Sequence, residues 1–457
     1  MSELRIISRH TASVLVGQLA VMAFGVADNV IAGRYSDAAL AALSVGSAIY
    51  ISVYVSLMGI VQALLPIWAE LHGAGQQEAA GRSIRQSLYL AAMIIALGML
   101  ALLCPGPLLR WAQVPESMRA EVQNYLAVLA FAFAPAILFR IYSTFNQSLG
   151  KPLLVTWLQV GALLVKIPLS ILLVTGAWGG EPMGAAGCAW ATLAVNYLLL
   201  AVAVLMLRTQ SLYQPFRLWQ ALEKPDWPRI RSFVRMGLPG GMAYLVEVTS
   251  FTLMAVFIAR LGTVASAGHQ IASSTTAVLY MTPLSLAIAC SARVSYWIGA
   301  GHHDRARRVV ALALKLALGA ALTSALVLLT LRQTLPGWYS TNPAVIALAS
   351  SLLLWVAFFH LADATQAICA FLLRCYRVTL LPMALYGVLL WGVGLTGGYL
   401  LAYRGLGTLA ATQSAASFWV ASTLALWLVA LLLLALLWHT VRRHKTQAGT
   451  ASRVHGA

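Results

Sequence analysis

Long apolar stretches, separated by short breaks rich in charge, glycine or proline, run the length of this chain. Taken between those breaks, the apolar runs predict spans at 11–33, 40–70, 86–104, 122–147, 153–176, 184–207, 233–260, 265–298, 308–331, 345–373, 379–402 and 408–439. A bilayer crossing takes about 20 residues of helix, so each run is long enough to be one. Runs beyond about 25 residues imply tilt or extension past the hydrocarbon. No period-two alternation of a membrane barrel is present, and backbone groups in hydrocarbon must be satisfied within the segment, so the spans are predicted to be α-helices. The expected fold class is an all-α integral membrane protein with about twelve transmembrane helices.

Composition agrees. The 457 residues are 60% apolar and 9% charged, where a soluble domain carries roughly a quarter charged residues. Mean hydropathy is +0.81. The net charge of +17, from 30 Lys+Arg against 13 Asp+Glu, would suggest nucleic acid in a soluble protein. Here the basic residues sit mostly between apolar runs, where the positive-inside rule accounts for them, and no nucleic-acid partner is expected. With the N-terminus inside, the inner segments hold Arg5, Arg9, Arg82, Arg85, Lys151, the cluster from Arg208 to Arg235, Arg305, Arg307, Arg308, Arg374, Arg377, Arg442, Arg443, Lys445 and Arg453. The outer side holds Arg34, Arg110, Arg119, Arg260, Arg332 and Arg404, so both termini are expected in the cytoplasm. The N-terminus lacks the usual pattern of a cleavable signal. Cys104, Cys188, Cys290, Cys369 and Cys375 form no CxxC and are expected to pack in the interior.

The chain repeats itself. GAGQQEAAGR from Gly73 resembles GAGHHDRARR from Gly299 at an offset of 226, which also pairs Tyr54 with Tyr280 and Ser47 with Ser273. The segment from Gln147 pairs with that from Arg374 at 227, and Met183-Gly184 with Leu406-Gly407 at 223. Six spans per repeat give both halves one orientation, so two parallel six-helix lobes related by pseudo-two-fold symmetry are expected, with a substrate path between them. The predicted divisions are an N-lobe at 1–215, a cytoplasmic linker at 216–232, a C-lobe at 233–440 and a basic tail at 441–457.

Three acids, Asp28, Glu247 and Asp363, lie in otherwise apolar spans. A carboxylate there costs a few kcal/mol or more unless paired, hydrated or protonated, which marks it as functional by default. The competing role is a neutral, hydrogen-bonded acid that holds helices together. A protonated acid suits a proton carrier and an ionised one suits a sodium ligand. Gln18, Val21, Gly25 and Asp28 follow a spacing that puts Gln18 and Asp28 on one helix face, with Gly25 a candidate for close helix approach. His360 and Asp363, one turn apart, form a candidate proton relay, or His360 is simply hydrogen-bonded. Lys166 is too deep to snorkel easily and needs a partner, for which Asp28 is the candidate; Arg140 either snorkels or is held in the interior. Pro135, Pro168 and Pro283 interrupt spans and are expected to kink them. Trp68 and Trp438 fall near span ends, where an interfacial belt accounts for them. Tyr50, Tyr54, Tyr244, Tyr280 and Tyr386 lie deeper, where aromatics near carboxylates attract lipophilic cations or simply pack.

The run from Ala27 to Gly33 (ADNVIAG) resembles the first-helix motif of the multidrug and toxic compound extrusion (MATE) family. The GAG segments at Gly73 and Gly299 resemble that family's inner loops. Val246-Glu247-Val248-Thr249, Gly268-His269-Gln270 and Asp363-Ala364-Thr365-Gln366 are similar to its bacterial NorM-type branch. The resemblance covers nearly the whole chain. It implies a V-shaped, monomeric antiporter in the bacterial inner membrane, with no cofactor beyond a coupling proton or sodium ion. Its expected substrate is a small cationic or amphipathic compound. By position, Asp28 resembles the family's N-lobe acid, and Glu247 and Asp363 its C-lobe pair, a possible Na+ site. Gln18, Tyr54, Lys166, Tyr244, Gln270, Tyr280, His360 and Gln366 are the cavity or network candidates. In one departure, Lys166 stands where the family's N-lobe network has an asparagine. An ammonium there would neutralise Asp28 and repel sodium, leaving coupling to Glu247 and Asp363.

Two alternatives compete. A flippase for lipid-linked precursors predicts a strongly basic cavity, which Arg140 and Lys166 alone supply poorly. A membrane enzyme would need catalytic residues clustered in an interfacial loop, and His302-His303-Asp304 fits a solvated face better. No P-loop is present, so direct ATP drive is not expected.

Overall fold

The computed structural model describes residues 2–111, 115–177, 179–405, 407 and 410–454, with side chains described up to His444 in the last helix. Leu406 and residues 455–457 of the predicted tail lie outside the described residues, as do the side chains from Lys445 on, Arg453 among them. Among the described residues, regular structure is entirely helical.

The first half contains α1 (Glu3–Tyr35), α2 (Asp37–Gln62), α3 (Leu65–Gly73), α4 (Gln77–Leu103), the short α5 (Gly106–Trp111), α6 (Glu116–Ser148), α7 (Leu153–Thr175) and α8 (Ala185–Thr209). The second half contains α9 (Trp227–Ala259), α10 (Thr263–Gly299), α11 (His303–Leu331), α12 (Pro343–Cys375), α13 (Leu380–Tyr386), α14 (Gly397–Tyr399) and α15 (Ala415–Val454). Wider π-helical turns at Gly387–Thr396 and Leu400–Arg404 join α13 and α14 into one span. Among the described residues, twelve helical stretches are long and apolar enough to cross a membrane, and the protein is multi-pass. Exposed Leu97, Leu100, Leu164, Leu205 and Leu326 fit that setting, because lipid imposes no penalty on apolar surface.

The chain groups into two compact units, one of residues 12–241 and one of residues 1–11 with 242–457. In the first, Trp68, Phe133, Phe145 and Tyr213 are fully buried in one core. Trp68 is therefore not an interfacial belt residue. Its indole Nε1 donates to Ser83 Oγ at 3.1 Å and its ring meets the Phe145 ring edge-on. Trp438, in contrast, is exposed. Close helix approach occurs at Gly187, where a Cβ would stand 2.7 Å from the Val174 backbone nitrogen, so α8 rests directly on α7. Gly25 has open space beside it and does not serve the expected role. Helices α6, α7 and α10 run on through Pro135, Pro168 and Pro283.

The segment after α8 is a docked strap. Arg85 donates through Nε to Glu223 at 3.2 Å, Gln86 Nε2 donates to the Lys224 carbonyl at 3.1 Å, and Gln86 Oε1 accepts from the Asp226 backbone N–H at 2.9 Å. Tyr213 Oη donates to Asn146 at 2.8 Å. Arg85, counted above among inner basic residues, is thus buried by its own linker.

The repeat is visible in the backbone. Helix α3 ends at Gly73 and α10 at Gly299; α4 begins at Gln77 and α11 at His303. Between them Gly75 has φ +70° and Gly301 φ +74°, the same left-handed turn at the same offset. Further on, Gly150 (φ +68°) and Arg377 (φ +62°) end α6 and α12 alike, although the second copy lacks the glycine that this conformation favours.

Candidate functional site

In the second unit the candidates gather between α9, α10, α12 and α13. Glu247 lies on α9 in a stretch that faces aromatic neighbours: Phe251 meets Phe359 and Trp419 edge-on at 5.9 and 6.2 Å. Its carboxyl interacts electrostatically with Asp363 on α12 and with Arg374 about three turns further along α12. Asp363 is buried and accepts at Oδ1 from Gln366 Nε2 at 3.0 Å, one turn on, which leaves Gln366 Oε1 buried without a partner. Tyr280 of α10 and Tyr386 at the end of α13 both lie within the field of the two carboxyls and of Tyr244. Arg374 stands over the rings of Phe371 at 4.5 Å and Tyr244 at 5.8 Å. Neither Glu247 nor Asp363 forms a salt bridge among the described residues.

Asp28 has a different environment in the first unit. Lys166 Nζ of α7 donates to its Oδ2 at 2.8 Å, and Ser170 Oγ donates to its Oδ1 at 3.2 Å. The same ammonium donates to Thr192 Oγ1 of α8 at 2.6 Å, and that hydroxyl in turn donates to the Cys188 carbonyl at 2.8 Å. The Phe24 ring lies 5.6 Å from the ammonium. Lys166 is 1% exposed, so the pair is a buried, hydrogen-bonded clasp of α1, α7 and α8.

The remaining candidates stand apart. Gln18 is half-buried on α1, ten residues before Asp28, and Gln270 is exposed near the start of α10, 3.5 Å from Ser274. His360 is buried with Nδ1 unpartnered, so it makes no hydrogen bond to Asp363 through that atom. Tyr54 belongs to the first unit, stacked on Tyr50 at 5.8 Å. The residue that pattern reasoning misplaced is Arg374: it closes α12 and was counted with the inner loops, yet it is 7% exposed beside the acids. Its signal lay in the repeat, which aligns it with the buried Gln147 and not with a loop.

The MatE family model matches residues 14–172 and 239–400 of this chain. A protein named "Probable multidrug resistance protein NorM", from Aromatoleum aromaticum, is 36% identical over 416 residues, covering 91% of this chain and 90% of that one. "Multidrug resistance protein PmpM" of Pseudomonas aeruginosa is 35% identical over 88% of this chain and 84% of its own length. Among solved structures, the eukaryotic MATE transporter AtDTX14 superposes with a TM-score of 0.86 at 19% identity, over 98% of this chain and 99% of that one, which speaks for the fold. With both repeats matched by the family model and such relatives over most of its length, the chain belongs to the MatE family, in its bacterial NorM-type branch.

Proposed function

We propose that this protein is a secondary antiporter of the bacterial inner membrane, with both termini in the cytoplasm, that exports organic cations and other amphipathic compounds in exchange for inward protons or sodium ions. The multidrug resistance names of its relatives support the substrate class. The observation that carries the coupling site is the contrast between the acids. Asp28 is matched by Lys166, whereas Glu247 and Asp363 share one neighbourhood with the single cation Arg374 near them and form no salt bridge among the described residues. Two carboxyls facing each other in low dielectric accumulate negative charge that a proton, a sodium ion or a substrate cation relieves. If ion and substrate compete for that charge, binding one favours release of the other. Alternating access then requires only that the inward- and outward-facing states differ in affinity for each. The Lys166 ammonium, already at Asp28, occupies the place a coupling cation would take in the first unit.

The test is efflux of a fluorescent lipophilic cation from proteoliposomes under a proton gradient or a sodium gradient alone, for wild type, Glu247→Gln and Asp363→Asn. One gradient is expected to drive efflux in wild type, and each substitution to reduce it by tenfold or more, about 1.4 kcal/mol of coupling. Efflux that survives both substitutions would remove these acids from the mechanism.

A further inference from the structure

Among the described residues, every buried arginine or lysine except Arg140 has a carboxyl or an aromatic ring beside it, although Arg374 Nη1 is buried without an acceptor. Arg85 meets Glu223, Lys166 meets Asp28, and Arg374 has the Tyr244 and Phe371 rings and the Glu247 charge. Arg140, on α6, is 7% exposed and so does not snorkel. Among the described residues it forms no salt bridge and stands over no aromatic ring, and its Nε is buried without an acceptor. An ion held in an interior without its counter-charge is strongly destabilising, so Arg140, with neither carboxyl nor ring beside it, is left for an anion from outside the chain.

The surroundings indicate what sort of anion. Tyr54 of α2 lies within the field of the guanidinium, stacks on Tyr50 at an interplanar angle of 8°, and meets Phe133 edge-on at 6.1 Å. Both tyrosines keep accessible surface. One and two turns further along α6 the polar groups satisfy each other: Gln62 Nε2 donates to Gln147 Oε1 at 3.2 Å, and Gln147 Nε2 donates to Ser143 Oγ at 3.3 Å. None of these bonds engages Arg140, whose Nε is left without an acceptor. An aromatic platform beside an uncommitted guanidinium suits a flat cationic ring system that carries an anionic group. The second repeat lacks this feature, because at the offset of 227 Arg140 corresponds to Ala367, just as Asp363 corresponds to Ala136. One unit thus offers negative charge and the other positive.

We propose that Arg140 and Tyr54 form an anion subsite that binds the sulfonate or carboxylate group of a zwitterionic amphipath. The substrate's passage rests on the export function proposed above; its binding does not. Two styrylpyridinium dyes with one chromophore, the N-methyl cation and the N-(3-sulfopropyl) zwitterion, are titrated by fluorescence against the full chain in lipid nanodiscs. Compared with wild type, Arg140→Gln is expected to weaken the zwitterion about tenfold or more while leaving the cation within about twofold, and Arg140→Lys to fall between. Equal weakening of both dyes, no weakening of either, or a wild type that does not bind the zwitterion would overturn the subsite. Arg140→Lys keeps the comparison informative if the glutamine variant folds poorly. The same dyes in proteoliposomes separate the two claims: Arg140-dependent binding without wild-type export of either dye refutes the antiporter and leaves the subsite standing.

Discussion

The Lys166 ammonium stands 2.8 Å from Asp28 Oδ2, inside a clasp that joins Asp28 of α1, Lys166 and Ser170 of α7 and the Thr192 hydroxyl of α8. Deep burial makes the two charges depend on each other, since removing one leaves the other uncompensated. Lys166→Met is therefore expected to lower stability by about 3–5 kcal/mol, while Asp28→Asn combined with Lys166→Met restores most of the loss. Thermal unfolding in detergent, followed by tryptophan fluorescence, gives the comparison. A double variant as unstable as the single one would mean the ion pair is not what the helices depend on.

Glu3, in the first turn of α1, is held by Arg293 of α10 through Nε at 2.7 Å and Nη2 at 2.8 Å, with Trp297 Nε1 donating at 3.1 Å. The Arg293 guanidinium also lies 4.6 Å from the Trp297 ring centre. Bidentate, aromatic-backed geometry lifts such a pair above an ordinary exposed one. A double-mutant cycle of Glu3→Gln and Arg293→Gln should show a coupling of about 1–2 kcal/mol in thermal stability. A coupling under about 0.3 kcal/mol would reduce the contact to a surface pair.

The linker clasp should respond to acid. Arg85, hydrogen-bonded to Glu223, holds the Glu223 carboxyl below the ordinary glutamate range, chiefly through that hydrogen bond and then through the charges of Arg85 and Arg82. A carboxyl depressed in the folded state contributes stability that is present above its unfolded pKa, about 4.3, and is lost as pH falls through the lower folded value. Limited proteolysis of residues 216–226 should accelerate as pH drops below about 4, and Glu223→Gln should show the fast rate already at neutral pH. A rate independent of both changes would show that the strap is held by its other contacts, such as Tyr89 to the Glu223 carbonyl at 2.7 Å.

Much of the organisation can be read in the order of the residues. The spans at 122–147 and 153–176 lie within a few residues of α6 and α7, because hydrocarbon admits only helices and breaks only at polar or glycine-rich loops. The offset that joins Gly73 to Gly299 reappears as matched helix ends and matched left-handed turns, since a tight turn constrains φ wherever it recurs. Asp28 is the candidate partner the sequence offers for Lys166, because a deep ammonium needs an anion.

Other features escaped, each for a physical reason. Trp68 and Arg85 look like interface and loop residues because hydropathy registers depth along the membrane normal and not whether a neighbour covers the side chain; a linker more than a hundred residues away covers Arg85. Gly25 and Gly187 are indistinguishable by residue type, yet only Gly187 meets another backbone. The π-helical turns after Tyr386 fall in a glycine-rich stretch whose hydropathy does not distinguish them from an ordinary α-helix.

Length, periodicity and charge placement thus determined that the chain crosses a membrane twelve times in two related halves, for these depend on each segment's own transfer into lipid. Tertiary structure decided which polar side chains meet. Asp28 received a cation, Glu247 and Asp363 received each other, and Arg140 received none, because such pairings depend on helix rotation and neighbour choice, which side-chain packing sets and hydropathy does not encode.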